Sequence, residues 1–204
     1  HRASNERRDT EWLANARADE NGCYLPLVHL EFPVTEVGEP MLMWGDRSWP
    51  SKTDNEPWLL GTLDGRPHFV FDASDVPAPV ESFDMQGIAG YMGLRDAAAV
   101  LNRTETGLCS QARSVLDWHQ RHRFCAACGS PTTVRHGGSS RQCESCEREH
   151  FPRTDPVSIV VVTHDDRCLL GRSGRFRGRL YSALAGFIEP GAVSYTHLTL
   201  PTIF

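Results

Sequence analysis

The sequence predicts an α/β chain of more than one folding unit: an α+β N-terminal domain, a small four-cysteine ribbon, and the opening strands of a further sheet domain. Three observations carry this prediction. Cys125 and Cys128 stand two residues apart, fourteen residues follow, and Cys143 and Cys146 repeat the spacing. Asp64-Gly65 lies between two apolar runs, a strong short-range hairpin signal. Residues 157–162, Val-Ser-Ile-Val-Val-Val, form a run that is β-branched at every position but Ser158, the mark of a central buried strand.

Taken in order, residues 5–17 read as a short polar helix with Trp12, Leu13 and Ala16 on its apolar side. Residues 23–30 and 41–44 read as strands, and residues 58–63 and 66–71 as the arms of the hairpin. The Pro-rich segment 76–80 reads as a loop. Residues 107–122 place Leu108, Ala112, Val115, Leu116 and Trp118 at roughly helical spacing, with Thr104 or Thr106 available as cap. This linking helix runs from the N-terminal domain (1–106) into the ribbon (123–152), and a third segment follows (153–191). There Pro152 and Pro156 bracket a connection, residues 157–162 give a strand, His164-Asp165-Asp166 turns, and Cys168-Leu169-Leu170 begins another.

Two Cys-x-x-Cys knuckles joined by a short hairpin make a tetrahedral thiolate cage for one Zn2+. Gly129, just after the first pair, suits the positive φ that folds the knuckle back. Four sulfurs leave no coordination vacancy, so this metal is structural and the chemistry must lie beside it. His119, His122, His136 and His150 then become surface or packing residues. Cys23, Cys109 and Cys168 sit in apolar stretches and read as buried small hydrophobes.

With 204 residues and 40% apolar content the chain can bury a real core. No apolar run approaches the roughly 20 residues that span a bilayer. Free cysteines in a metal pattern suit a reducing, cytoplasmic setting. The chain opens on His1 rather than a methionine, which leaves room for a native start and a signal peptide upstream. The net charge is −5, unevenly spread: residues 1–112 carry 9 Lys/Arg against 18 Asp/Glu, whereas residues 113–179 carry 12 Arg against 7 acids. The basic stretch suits an anionic ligand such as a phosphate ester as well as it suits a plain solvated face.

The succession of ribbon, Phe151-Pro152-Arg153-Thr154-Asp155-Pro156, a Val/Ile strand and Leu184-Ala185-Gly186-Phe187-Ile188-Glu189-Pro190-Gly191 resembles the zinc-containing NADH pyrophosphatases of the Nudix superfamily, over roughly residues 1–191. The resemblance implies an incomplete Nudix α/β/α sandwich after the ribbon and a homodimer. It implies hydrolysis of NADH or NAD+ to nicotinamide mononucleotide and AMP, and removal of an NAD cap from RNA. It also implies catalytic Mg2+ or Mn2+, because those hard ions neutralise a diphosphate and are held by clustered carboxylates.

In the family those carboxylates come from a box of pattern Gly-x5-Glu-x7-Arg-Glu-(apolar)-x-Glu-Glu-x-Gly. Gly186 begins it here, but Ala192 stands where the first glutamate belongs. Residues 193–204 contain neither the Arg-Glu nor the Glu-Glu pair and match no part of the family, so they read as an unrelated, foreign or frameshifted tail on a truncated chain. The expectation is a protein without catalytic glutamates and without family-like hydrolysis.

The resemblance assigns the Ala185 carbonyl to the catalytic metal shell, Phe187 to base stacking, Phe151 to the substrate pocket and Arg95 to a phosphate. Each has a plain alternative: a small strand residue, a core aromatic, a plug beside the ribbon, a surface arginine. Glu189 lies outside the box positions. Gly138-Ser139-Ser140 replaces an acidic contact that relatives often carry before the third cysteine. The arginine-rich loop 172–179 could steer a dinucleotide or simply face solvent. The rival reading is a zinc-ribbon nucleic-acid-binding or scaffolding protein, for which the hairpin offers Arg135, His136 and Arg141 but no aromatic. A dinucleotide oxidoreductase is set aside, since no Gly-x-Gly-x-x-Gly follows a strand.

Overall fold

The computed structural model describes residues 1–36, 38–174 and 178–192. The tail 193–204 and Arg175-Phe176-Arg177 of the arginine-rich loop lie outside the described residues. The chain divides into two compact units, His1–Pro152 and Arg153–Phe204.

In the first unit Glu6–Arg8 forms a 3-10 turn and α1 spans Thr10–Ala18. The single helix expected over 5–17 is split at Asp9, whose carboxylate accepts from the backbone N–H groups of Glu11 and Trp12. A side chain that caps one helix this way cannot continue another through itself. Then come β1 (Cys23–Leu27), β2 (Phe32–Thr35), β3 (Trp58–Leu63) and β4 (Arg66–Asp72). β1 stops short of the expected Leu30 because His29 and Leu30 adopt positive φ, 51° and 64°. Residues 41–44 form no strand; Leu42 makes only an isolated bridge to Val34. The hairpin is as predicted, with Asp64 and Gly65 at φ 50° and 76°.

α2 (Pro79–Ser82) occupies part of the segment read as a loop, and β5 (Ile88–Met92), α3 (Leu94–Val100) and α4 (Arg103–Arg121) follow. α4 starts before the expected 107, and its cap is Asn102, whose side chain accepts from the Glu105 N–H at 3.0 Å. The Glu105 carboxylate in turn accepts from the Leu42 N–H at 2.9 Å.

The main sheet has order β1-β4-β3, with β1 parallel and β3 antiparallel to β4. Alternation along β4 sorts its side chains onto two faces. Val70 joins Leu25, Leu27, Leu60, Ala112 and Leu116 in a core that includes α4. Phe69 and Phe71 join Tyr24, Leu59 and Phe83 in a second core, with Trp12 and Leu13 of α1 against it. The sheet is therefore covered on both faces, and β2 and β5 pair antiparallel as a separate two-stranded sheet. Cys23 and Cys109 are buried here, as expected.

The ribbon completes the first unit: β6 (Thr132–Arg135), β7 (Ser140–Cys143) and β8 (Glu149–His150), all antiparallel. A tight turn over His136–Gly138 joins β6 to β7.

In the second unit β9 (Val157–Val160) pairs with β12 (Leu184–Phe187), and β10 (Val162–His164) with β11 (Arg167–Leu169). The continuous buried strand expected over 157–162 is corrected on two counts. It breaks at Val161, and Val157, Ile159, Val161 and Val162 are exposed. Cys168 is likewise exposed rather than buried. Burial on both faces needs covering helices, and the described residues of this unit include none.

Candidate metal centre

The two knuckles are built alike. In the first, the Cys125 N–H donates to the Ser130 carbonyl at 2.8 Å; in the second, the Cys143 N–H donates to the Arg148 carbonyl at 2.9 Å. Each reverses through a left-handed residue directly after its second cysteine, Gly129 at φ 78° and Glu147 at φ 58°. The second knuckle thus accepts a side chain where the first has glycine.

These turns bring four sulfurs together. Cys128 lies 3.5 Å from Cys143 and 3.6 Å from Cys146, and Cys125 lies 3.7 Å from Cys146, sulfur to sulfur. All four are within 4.8 Å of one another. A tetrahedron with Zn–S bonds near 2.3 Å has edges of about 3.8 Å, so the donor set fits Zn2+ in size and chemistry. Backbone N–H groups point at two of the sulfurs: Ala127 donates to Cys125, and Ser145 and Cys146 donate to Cys143, each at 3.4 Å. The Ala127 N–H holds the Cys125 thiol below its ordinary pKa and the Ser130 N–H pulls Cys128 down to about 6, whereas the Arg148 N–H is outweighed by the neighbouring sulfurs, which push Cys146 up to about 11. His150, expected as a surface or packing residue, sets Nε2 3.3 Å from the Cys125 sulfur, a contact around the ligand rather than a fifth ligand.

A buried polar network that sequence reasoning missed ties this centre to α4. The Arg141 guanidinium donates to Thr132 Oγ1 at 2.7 Å, to the Thr132 carbonyl at 2.6 Å and to His119 Nδ1 at 3.0 Å. His119, its Nδ1 an acceptor, donates through Nε2 to the Gly138 carbonyl at 2.8 Å and packs its ring 4.0 Å from that of Trp58. The single Thr132 O–H can also donate to either of two carbonyls just past α4, that of His122 at 2.9 Å or that of Arg123 at 3.0 Å. Burial pushes His119 down to about 4. Gly138 is required here: its φ is 93°, and an added Cβ would fall 2.6 Å from Trp58 Cβ. No one-dimensional pattern marks Arg141 as buried, and the hairpin reading had made it a free basic group. Of the other two hairpin cations, Arg135 donates to Gln142 at 3.1 Å and His136 lies 3.8 Å from Glu149. The positions read as replacing an acidic contact hold the buried Gly138 and Ser140.

The other predicted residues are placed as follows. Arg95 is exposed in the first turn of α3. Phe151 is exposed and lines a cleft of the first unit that does not include Arg95. In the second unit Ala185 faces Ile159 in register, and Phe187, 68% exposed as a residue, faces Val157. Glu189 lies with Arg153, Asp155 and Ala192 around a shallow hollow. Among the described residues, the four cysteines are the one group of three or more His, Cys, Asp or Glu placed to share a metal. Among the described residues a catalytic Mg2+ or Mn2+ therefore finds no fitting carboxylate set.

Family profiles fit this architecture segment by segment. Residues 13–118 match the NADH pyrophosphatase-like rudimentary NUDIX domain, and residues 120–151 match the NADH pyrophosphatase zinc ribbon domain. The chain belongs to the NADH pyrophosphatase family. Among curated relatives of this family, the NAD-capped RNA hydrolase NudC of Stutzerimonas stutzeri is 41% identical over 132 residues, 65% of this chain and 45% of that protein. The human NAD-capped RNA hydrolase NUDT12 is 46% identical over 101 residues, 45% of this chain and 22% of that protein. The human mitochondrial NAD(P)H pyrophosphatase NUDT13 is 36% identical over 136 residues, 67% and 38% of the two. The chain thus spans less than half the length of these relatives. The four-sulfur centre is the family's zinc ribbon, and among the described residues no helix is long and apolar enough to cross a membrane.

Proposed function

We propose that this chain is the zinc-binding portion of an enzyme that hydrolyses NADH or NAD+ to nicotinamide mononucleotide and AMP, and that NAD-capped RNA ends are among its substrates. One observation supports this above others. The closed four-sulfur ribbon follows a rudimentary NUDIX domain and precedes the Ala185-Gly186-Phe187 strand. Relatives are named as NAD-capped RNA hydrolases and an NAD(P)H pyrophosphatase.

In this reading Phe187 and Phe151 stack on the substrate, Arg95 meets a phosphate, the enzyme is a homodimer, and its thiolates work in the reducing cytoplasm. Mg2+ or Mn2+, when bound near the Ala185 carbonyl, would neutralise diphosphate oxygens and acidify a water. This chain has Ala192 in place of the first box glutamate and no second metal-binding cluster among its described residues. We therefore take the chain itself to be hydrolytically silent and its zinc to be structural.

The test joins residues 1–191 to the C-terminal part of the Stutzerimonas NudC, whose Nudix glutamates would complete the box. The chimera is expected to release AMP and nicotinamide mononucleotide from NADH with Mg2+ or Mn2+, while the chain alone releases neither. A zinc-loaded, folded chimera without activity overturns the diphosphatase reading; AMP release by the chain alone overturns its silence.

A further inference from the structure

A pocket of about 290 Å³, at the small end of ligand sites, opens between β3, β4 and the first turns of α4 in the rudimentary NUDIX domain. Leucines of β3 and α4 wall it, and no Asp or Glu is in the lining. Its most buried polar residue is His68, 7% exposed. Alternation along β4 sets His68 on the face of Val70, the face that α4 covers. Nδ1 donates to the Arg66 carbonyl at 2.9 Å, and the ring packs edge-on against Trp44 with centroids 4.8 Å apart. Burial lowers the pKa of His68, so at neutral pH its Nε2 is a fixed acceptor. That nitrogen has no hydrogen-bond partner among the described residues. Arg2 and Arg103 line the same pocket and are exposed. Among the described residues neither is in an ion pair, whereas Arg17, Arg47, Arg121 and Arg153 each are. The first turn of α4, with Arg103 and Thr104, adds the positive end of its helix. Gly107 lines the pocket too. It sits inside α4, where glycine is unfavourable, yet an added Cβ would meet nothing within 4 Å. Packing within the chain does not ask for glycine there; room over the pocket does.

We propose that this pocket binds a small phosphate monoester with a free hydroxyl, the size of ribose 5-phosphate. Arg103 and Arg2 take the phosphate, and the hydroxyl donates to His68 Nε2. Two cations beside a neutral acceptor select an anion that also carries a donor. Inorganic phosphate would satisfy the arginines but has no hydroxyl arm for Nε2. An aromatic ligand would find no Phe, Tyr or Trp in the lining.

The test is isothermal titration of the zinc-loaded full chain with ribose 5-phosphate, inorganic phosphate and ribose. Ribose 5-phosphate is expected to bind about tenfold tighter than phosphate, the worth of one good hydrogen bond to a buried acceptor. Ribose alone should not register. Arg103→Glu is expected to lose at least about tenfold in affinity for both phosphates. His68→Phe should keep phosphate binding and lose the preference for the ester. Gly107→Leu should fill the pocket and abolish binding, with a melting temperature no lower than wild type, because leucine is the better helix former. Zinc content and melting temperature are measured for every variant. The proposal is overturned if wild type binds neither phosphate, or binds the ester no tighter than phosphate. It is also overturned if Arg103→Glu or Gly107→Leu binds like wild type, or if His68→Phe keeps the preference. Positions 103 and 107 are exposed, so those two arms decide even where the buried substitution fails to fold. None of these residues has a part in the diphosphatase reading and no hydrolysis enters the assay, so its failure leaves that reading to the chimera, and the reverse.

Discussion

The Nδ1 of His119, on α4, accepts a hydrogen bond at 3.0 Å from Nη1 of Arg141, on β7 of the ribbon. Both side chains are buried, and no carboxylate is among the hydrogen-bond partners of Arg141. The cation is satisfied by oxygens of Thr132 and by one imidazole nitrogen, so the histidine must stay neutral to accept.

His119→Ala should therefore be costly, because it leaves a buried guanidinium one acceptor short and the Gly138 carbonyl without its donor. A loss of about 2–4 kcal/mol is expected, read from urea unfolding of the zinc-loaded chain.

The same pair sets a pH dependence. Burial holds His119 near 4 in the folded state, below its ordinary 6.5, so the unfolded chain binds the extra proton first. Stability from this group is fully present above pH 6.5 and is lost as pH falls towards 4, on the order of 3 kcal/mol at most. Zinc release also follows acid, so the measurement is the difference between wild type and His119→Gln, which should shrink as pH falls from 6.5 to 4.

The matched left-handed turns predict opposite outcomes from mirror-image substitutions. Glu147→Gly, at φ 58°, removes a strained Cβ and should raise stability by about 1 kcal/mol; Gly129→Ala, at φ 78°, should lower it by about 1–2 kcal/mol. Zinc-loaded thermal melts compare the two directly.

Much of this architecture can be read in one dimension. The Asp64-Gly65 hairpin and the two knuckles are local, each set by a few adjacent residues. The β2–β5 pairing was not visible because β2 contains Pro33 and β5 contains Gly90, both poor strand formers. The fates of Arg141, His119, Cys168 and Val157 depend on what packs over them. A basic hairpin residue went inside because a helix supplied an acceptor. An apolar run stayed outside because nothing among the described residues of its unit covers it.

Thiol reactivity should follow that corrected burial. Under native, zinc-loaded conditions iodoacetamide should modify Cys168 well before Cys23 or Cys109, the last also pushed up to about 12 by burial. Peptide mass spectrometry over time reads the order; early labelling of Cys109 would contradict the buried core around α4.

Asn102 offers a separate test, far from the metal. Asn102→Ala removes the acceptor for the Glu105 N–H and should cost about 1 kcal/mol, leaving zinc content at one ion per chain.

Thr132 meets the chain just past α4 and receives Arg141, so the ribbon is tied to the end of that helix. A chelator applied to this protein is expected to loosen the ribbon and the Arg141 network as well as to scavenge metal. For an assembled enzyme of this kind, inhibition by EDTA then has two meanings, lost architecture or a lost reaction metal. Adding back zinc and magnesium separately tells them apart.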